Sequence, residues 1–233
     1  MMGTALNVIA ILVGGALGLL LGPRLPDRVR QTVVAGMGLF TLAYALKQFF
    51  TTANALLVLG AILIGALLGE WWQIEAGMAR LGAWLERKFS PGSVDGQAAS
   101  SRFVRGFLSA SLIFCIGPMA ILGSIQDGVT GDFSTLAIKS ILDGFIALAF
   151  ASSLGVGVLF SALPILVYQG SITLLAAQVQ AVVTPAMMTE MTATGGIILM
   201  GVAVSSLLEI RQIRAGNFLP ALIIAPILAA IFL

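Results

Sequence analysis

The chain has 233 residues, of which 59% are hydrophobic and 9% charged, with no histidine, one cysteine and a formal net charge of +2. Soluble domains carry about a quarter of their residues as charges, so this composition, with a mean hydropathy of +1.06, excludes one and calls for a polytopic membrane protein. The missing histidine removes Ser/His/Asp catalysis, His-ligated haem and Cys/His metal cages, and a lone Cys115 removes an intrachain disulfide.

Taken in chain order, apolar stretches at about 4–22, 32–50, 54–72, 104–123, 136–160, 163–183, 191–208 and 217–233 each approach the roughly 20 residues that cross a hydrocarbon core. They predict an all-α transmembrane helical bundle of about eight spans, forming a single integral membrane domain over 1–233. The first span follows no Lys or Arg and ends in Gly22-Pro23-Arg24 without a small-residue cleavage pattern, so a cleaved signal peptide is not expected. Within it Ala10, Gly14, Gly18 and Gly22 recur at helical spacing, as do Ala61, Gly65 and Gly69 in the third. Such small stripes let backbones approach closely, within the chain or between subunits of a homo-oligomer.

Three spans occupy 1–73. Residues 74–101 then place Ile74, Met78, Leu81, Leu85 and Phe89 on one helical face beside Trp84, the pattern of an interfacial amphipathic helix. A Gly-, Ser- and Pro-containing linker is expected over 90–101. Five spans follow in 102–233. Arg24, Arg28 and Arg30 fall between spans one and two, Arg80, Arg87, Lys88, Arg102 and Arg105 between three and four, and Arg211 and Arg214 between seven and eight. The alternate loops at 51–53, 128–133 and 184–190 hold no Lys or Arg, so the basic loops are expected in the cytoplasm and both termini outside.

The fourth and fifth spans hold the costly polar groups. Cys115-Ile116-Gly117-Pro118 predicts a helix break, because proline lacks a donor and disfavours helical geometry just before it. Irregular backbone at membrane depth is tolerated where it is buried or lines a cavity. Ser124, Gln126 and Asp127 come next, in a segment that reads as an external turn, either structural or a vestibule for a hard cation. Asp143 lies in apolar sequence with Lys139 one helical turn before it. The pair is either a structural ion pair or a carboxylate that exchanges a proton or cation with its lysine. Gln169 and Asn217 are expensive to bury and suited to bonds across helices; Asn7 and several serines are lesser candidates. The passage around Gly36 and Gly38 recurs loosely at Gly195 and Gly196, each about 20 residues ahead of a span opening at Asn54 or Asn217. With the expected orientation those helix pairs run oppositely, which is either an inverted repeat or a chance likeness of Gly-rich helices.

The stretch Phe114-Cys115-Ile116-Gly117-Pro118-Met119-Ala120-Ile121-Leu122-Gly123-Ser124-Ile125-Gln126-Asp127-Gly128 resembles the DUF554 family (YdfK/YqgA-like) of bacterial polytopic inner-membrane proteins. Lys139-Ser140-Ile141-Leu142-Asp143-Gly144 and Tyr168-Gln169-Gly170 extend the likeness along nearly the full length. The resemblance implies the bacterial cytoplasmic membrane and supplies no substrate. From the residues themselves, the reading is a secondary transporter of an ion or small solute. Its midplane polar site would draw on Asp143, Lys139, Asp127, Gln126, Ser124, Gln169, Cys115 and Gly117. A non-transporting scaffold or sensor acting through the amphipathic helix, and an ion channel, are the alternatives. Partners are the lipid bilayer and the solute, with no nucleic acid; no enzymatic motif, metal site or cofactor is expected.

Overall fold

The computed structural model describes residues 1–89 and 96–233, and the regular structure among them is helical. Helices α1 (Met2–Leu21), α2 (Asp27–Phe49) and α3 (Ala55–Trp72) come first, followed by α4 (Ile74–Phe89). A bent pair, α5 (Gly96–Cys115) and α6 (Pro118–Val129), leads to α7 (Ser134–Leu154). After a 3-10 segment at Val156–Ser161 come α8 (Ala162–Leu174), the short α9 (Ala176–Val182) and α10 (Pro185–Val202), which continues through a π-helical turn to Leu207. A last 3-10 turn, Ala215–Phe218, enters α11 (Ala221–Phe232).

Seven helical segments among the described residues are long and apolar enough to cross a membrane, and α5 with α6, bent by 61°, supply an eighth span. The bend does not turn the chain back. A Cβ on Gly106 of α5 would lie 3.3 Å from Leu154 at the C-terminal end of α7, whereas one on Gly123 of α6 would lie 2.8 Å from Leu136 near its N-terminal end. The pair therefore accompanies α7 from one face to the other. At the α5 end the basic residues gather: Arg30 Nε donates to the Ser152 carbonyl at 3.2 Å, Arg105 pairs with Glu209, and Arg214 reaches the Glu70 carboxylate at 2.9 Å.

Helices α1 and α7 turn their costly sides inward. On α1, Ile9, Val13, Leu17 and Leu20 are exposed on the outer face, while Asn7, Gly14 and Gly18 are buried. On α7, Ile138, Ile141 and Phe145 face outward and Lys139, Asp143 and Ala147 inward. The small stripes are the contacts between spans. Gly3 meets Leu136, Gly14 meets the Gly144 carbonyl and Gly22 meets Ser152, so α1 and α7 run parallel in backbone contact. Helix α10 lies antiparallel on α2, where a Cβ on Gly196 would stand 2.6 Å from the Ala45 carbonyl oxygen and one on Gly38 would stand 2.7 Å from Leu208. Helix α11 lies antiparallel on α3 through Gly65 against Ala221 and Gly69 against Asn217.

Three local expectations change. The turn expected at 123–128 is helical, because Pro118 at the first position of α6 starts a helix that runs to Val129. The basic-free loop expected at 184–190 is mostly α10, started by Thr184, whose hydroxyl accepts from Met187 N–H at 3.2 Å, with Pro185 next. Of the linker expected at 90–101, residues 90–95 lie outside the described residues and Gly96 already belongs to α5.

Helix α4 packs one face on α5. Gly82 and Leu85 pack on Phe103 and Phe107, whereas Leu81 and Trp84 stay half exposed, with the Lys88 ammonium 5.0 Å over the Trp84 ring. Asn217 Oδ1 accepts from Glu75 N–H and Glu75 Oε2 accepts from Gly216 N–H, each at 2.8 Å, clamping α4 to the start of the last span. Burial pushes the Glu75 carboxyl above its usual range, against the opposing pull of the Gly216 N–H and Arg214; Glu70 adds to the rise. A carboxyl raised in the folded state favours folding when protonated, so its contribution is lost as pH climbs through the folded pKa. Glu75→Gln, which keeps the acceptor, will therefore melt higher than wild type at neutral pH, with the gap closing in acid; melting curves at several pH values check it.

Candidate functional site

Four buried polar side chains from three spans meet in the half of the bundle away from the arginines. Asn7 of α1 is the hub. Its Nδ2 donates to Asp143 Oδ2 at 3.1 Å and to Gln169 Oε1 at 3.0 Å, while Lys139 Nζ bonds the same Asp143 oxygen from one turn away on α7. Asn7 and Gln169 are wholly buried, and Lys139 and Asp143 are 6% exposed. Pairing a carboxylate with an ammonium at this depth offsets only part of their desolvation, and the amide donor supplies one of the bonds the carboxylate still needs. Asn7 Oδ1 and Gln169 Nε2 retain no partner within the protein, which leaves an acceptor and a donor unused beside the ion pair.

On its other side the ion pair lines a cavity of about 490 Å³. Lys139 and Asp143 line it from α7, Phe40, Thr41 and Tyr44 from α2, and Gly117 and Pro118 from the break. That volume is in the range of small-molecule sites, roughly 300–1,000 Å³. The wall is mostly apolar, with Thr41, Tyr44, Lys139 and Asp143 as its polar side chains. The break has a backbone cause. Gly117 takes φ 156° and ψ 149°, a region open essentially to glycine alone, and the space where a Cβ would stand is clear for 4 Å. Ile116 N–H still bonds the Leu112 carbonyl at 2.9 Å, and Ala120 N–H bonds the Gly117 carbonyl at 3.2 Å, so α6 begins afresh at the cavity with its N-terminal dipole end toward it.

The structure thus brings together Asp143, Lys139 and Gln169, with Gly117 on the same cavity as the ion pair. Cys115, at the end of α5, lies within electrostatic reach of Lys139 and Asp143 and also beside Tyr168 and Thr192. Asp127, Gln126 and Ser124 go elsewhere. Asp127 Oδ2 accepts from Gly3 N–H at 3.1 Å and lies 2.8 Å from the Met1 amino group, so it caps α1. Gln126 Oε1 accepts from the Thr135 hydroxyl at 2.7 Å, and the Ser124 hydroxyl turns back onto the Ala120 carbonyl at 2.6 Å. Asp127 and Gln126 hold the ends of α1, α6 and α7 together, while Ser124 bonds only its own helix. Asn7 was legible only as one polar residue among several; its position as hub depends on α1 lying parallel to α7, which its glycine stripe permits but does not specify. Glu190, buried on α10, was hidden by its place in an apparent loop.

A sequence model of the family described as "Protein of unknown function (DUF554)" matches residues 2–230. The chain is 34% identical over 228 residues to the uncharacterized protein YqgA of Escherichia coli (strain K12), covering 98% of this chain and 96% of that one. It is 29% identical over 231 residues to YdfK of Bacillus subtilis (strain 168), an uncharacterized membrane protein, covering 97% of this chain and 95% of that one. No solved structure matches.

Proposed function

This chain belongs to the DUF554 family of proteins of unknown function, and from that premise we propose that it is a secondary transporter carrying an ion or small solute across the bacterial cytoplasmic membrane. The observation that carries the reading is the cavity of about 490 Å³ that reaches a buried Lys139/Asp143 pair beside a broken span. Intramembrane ion pairs facing a cavity mark solute and proton pathways, and broken helices at the midplane are a transporter device. Lys139 and the α6 N-terminus offer positive potential to the solute. Asp143 can exchange Lys139 for a proton or a cation, and the apolar wall from α2 and α7 suits a solute with an apolar portion.

The reading includes an inverted repeat, which the pairing of the outer helices supports. Helix α2 is antiparallel to α10 and α3 to α11. The Asn54 and Asn217 side chains accept from the backbone N–H groups of Leu56 and Glu75 respectively. Each asparagine also lies beside a carboxylate that takes a backbone N–H just before it, Glu190 at Ala53 and Glu75 at Gly216. The basic loops support an orientation with their end of the bundle in the cytoplasm and both termini outside. Reconstitution in liposomes with a screen of labelled ions and small metabolites tests the proposal. Asp143→Asn is expected to reduce flux by about two orders of magnitude, the scale on which a misplaced or lost functional group acts. Flux equal to wild type excludes an essential carboxylate, and unitary currents in a planar bilayer point to a channel.

A further inference from the structure

A second buried polar group lies between α2 and α10, on spans that do not carry the Lys139/Asp143 pair. Glu190 is wholly buried. Its carboxylate accepts from the Thr52 hydroxyl at 2.6 Å, from Ala53 N–H at 2.7 Å and from Asn54 N–H at 3.3 Å. All three donors are neutral, and no ion pair to Glu190 is found among the described residues. One helical turn deeper on the same face of α10, the Thr194 hydroxyl is wholly buried and has no hydrogen-bond partner in the protein. One turn deeper than Thr52 on α2, Gln48 is 4% exposed, and both its amide oxygen and its amide nitrogen lack partners. Gln48 Oε1 lies 3.8 Å from the place a Cβ would occupy on Gly195, beside Thr194, and Gly196 brings the two helices into backbone contact at this level.

We propose that Glu190, Thr194 and Gln48 form a binding site for a dehydrated monovalent cation of the size of sodium. The chemistry of the donor set selects that class. One full negative charge balances one positive charge, and the hydroxyl and amide oxygens are neutral hard ligands that replace water around such an ion. A divalent ion would draw on more carboxylates, and no group of three acidic or cysteine side chains occurs among the described residues. An unpartnered buried polar atom destabilises the folded state, so a cation that engages the Thr194 and Gln48 oxygens removes a standing penalty. Binding at this site stands apart from transport; only its role as the coupling ion rests on the transporter reading.

The test uses the full-length protein purified in detergent, with its melting temperature followed as sodium chloride replaces N-methylglucamine chloride at constant ionic strength and pH. A ligand that binds only the folded state raises the melting temperature in a saturable way. The expected result is such a rise, weakened about tenfold or more in apparent affinity by Thr194→Val and by Gln48→Leu, and abolished by Glu190→Gln. Thr194→Val and Gln48→Leu remove atoms that have no partner, so both variants should fold and keep the test decisive if Glu190→Gln does not. A melting temperature indifferent to sodium overturns the site, as does a sodium response unchanged in both conservative variants. A stabilisation by acid alone that depends on Glu190 also overturns it, in favour of a proton. A sodium response without solute flux would leave the site standing and overturn the transporter.

Discussion

Asp143→Ala, made with Lys139 in place, will lower the folding free energy by about 3–5 kcal/mol, the cost of leaving a buried charge without its partner. The ammonium would then face Asn7 and an apolar cavity wall, and Asn7 Nδ2 would lose one of its two acceptors. The double change Lys139→Met/Asp143→Leu will recover most of that loss, because it removes both desolvation penalties and fills the space with apolar atoms. Reversible unfolding in mixed detergent micelles, run as a double-mutant cycle, gives the coupling between the two sites directly. The same pair separates structure from function. A stable double variant that carries no solute assigns the ion pair to the pathway, whereas a single variant as stable as wild type would mean that water or lipid headgroups already reach Lys139.

The fold was largely legible because a bilayer leaves few choices. Every backbone polar group in hydrocarbon must be satisfied within the segment, so apolar runs of sufficient length become helices. Composition and hydropathy therefore located the spans, and the Gly117-Pro118 step located the break. The positions that read wrongly are those where polarity stands for two different things. Ser124, Gln126 and Asp127 look like an external turn by composition, yet they belong to α6: the Ser124 hydroxyl is absorbed by its own helix, Gln126 by Thr135 of α7 and Asp127 by the start of α1. Glu190 looked solvated because it comes soon after Thr184-Pro185, but that dipeptide begins a helix and carries the carboxylate inward.

The candidate site was legible in part for a related reason. Lys139 and Asp143 share one helix, and their spacing alone predicts a contact. Gln169 and Asn7 reach Asp143 from spans far apart in sequence, and no periodicity within a helix encodes which spans become neighbours. That choice lies in the small stripes: α1 presents glycines to α7, α2 and α3 take up α10 and α11, and each close approach fixes which polar groups come within bonding distance.

Gly14→Ala will test that dependence most sharply. The added methyl has no room, since its carbon would fall on the Gly144 carbonyl of α7 at a separation that real Cβ atoms do not show. The obstacle is backbone, with no side chain able to swing aside, so α1 must move away from α7. Overpacking of this kind costs about 1–3 kcal/mol or more. Asn7 stands on the same face of α1 two turns from Gly14, so its 3.1 Å bond to Asp143 lengthens as the helices part. Gly36→Ala on α2 is the matched control: a Cβ there meets nothing within 4 Å, and removing a helix-interior glycine stabilises by about 0.5–1 kcal/mol. The two alanines therefore shift unfolding in opposite directions, and the Gly14 variant also loses whatever solute affinity depends on the Asn7 to Asp143 bond. Equal effects from both would mean that α1 and α7 are not in backbone contact, and the polar core would then have to be assembled without the stripe that positions Asn7.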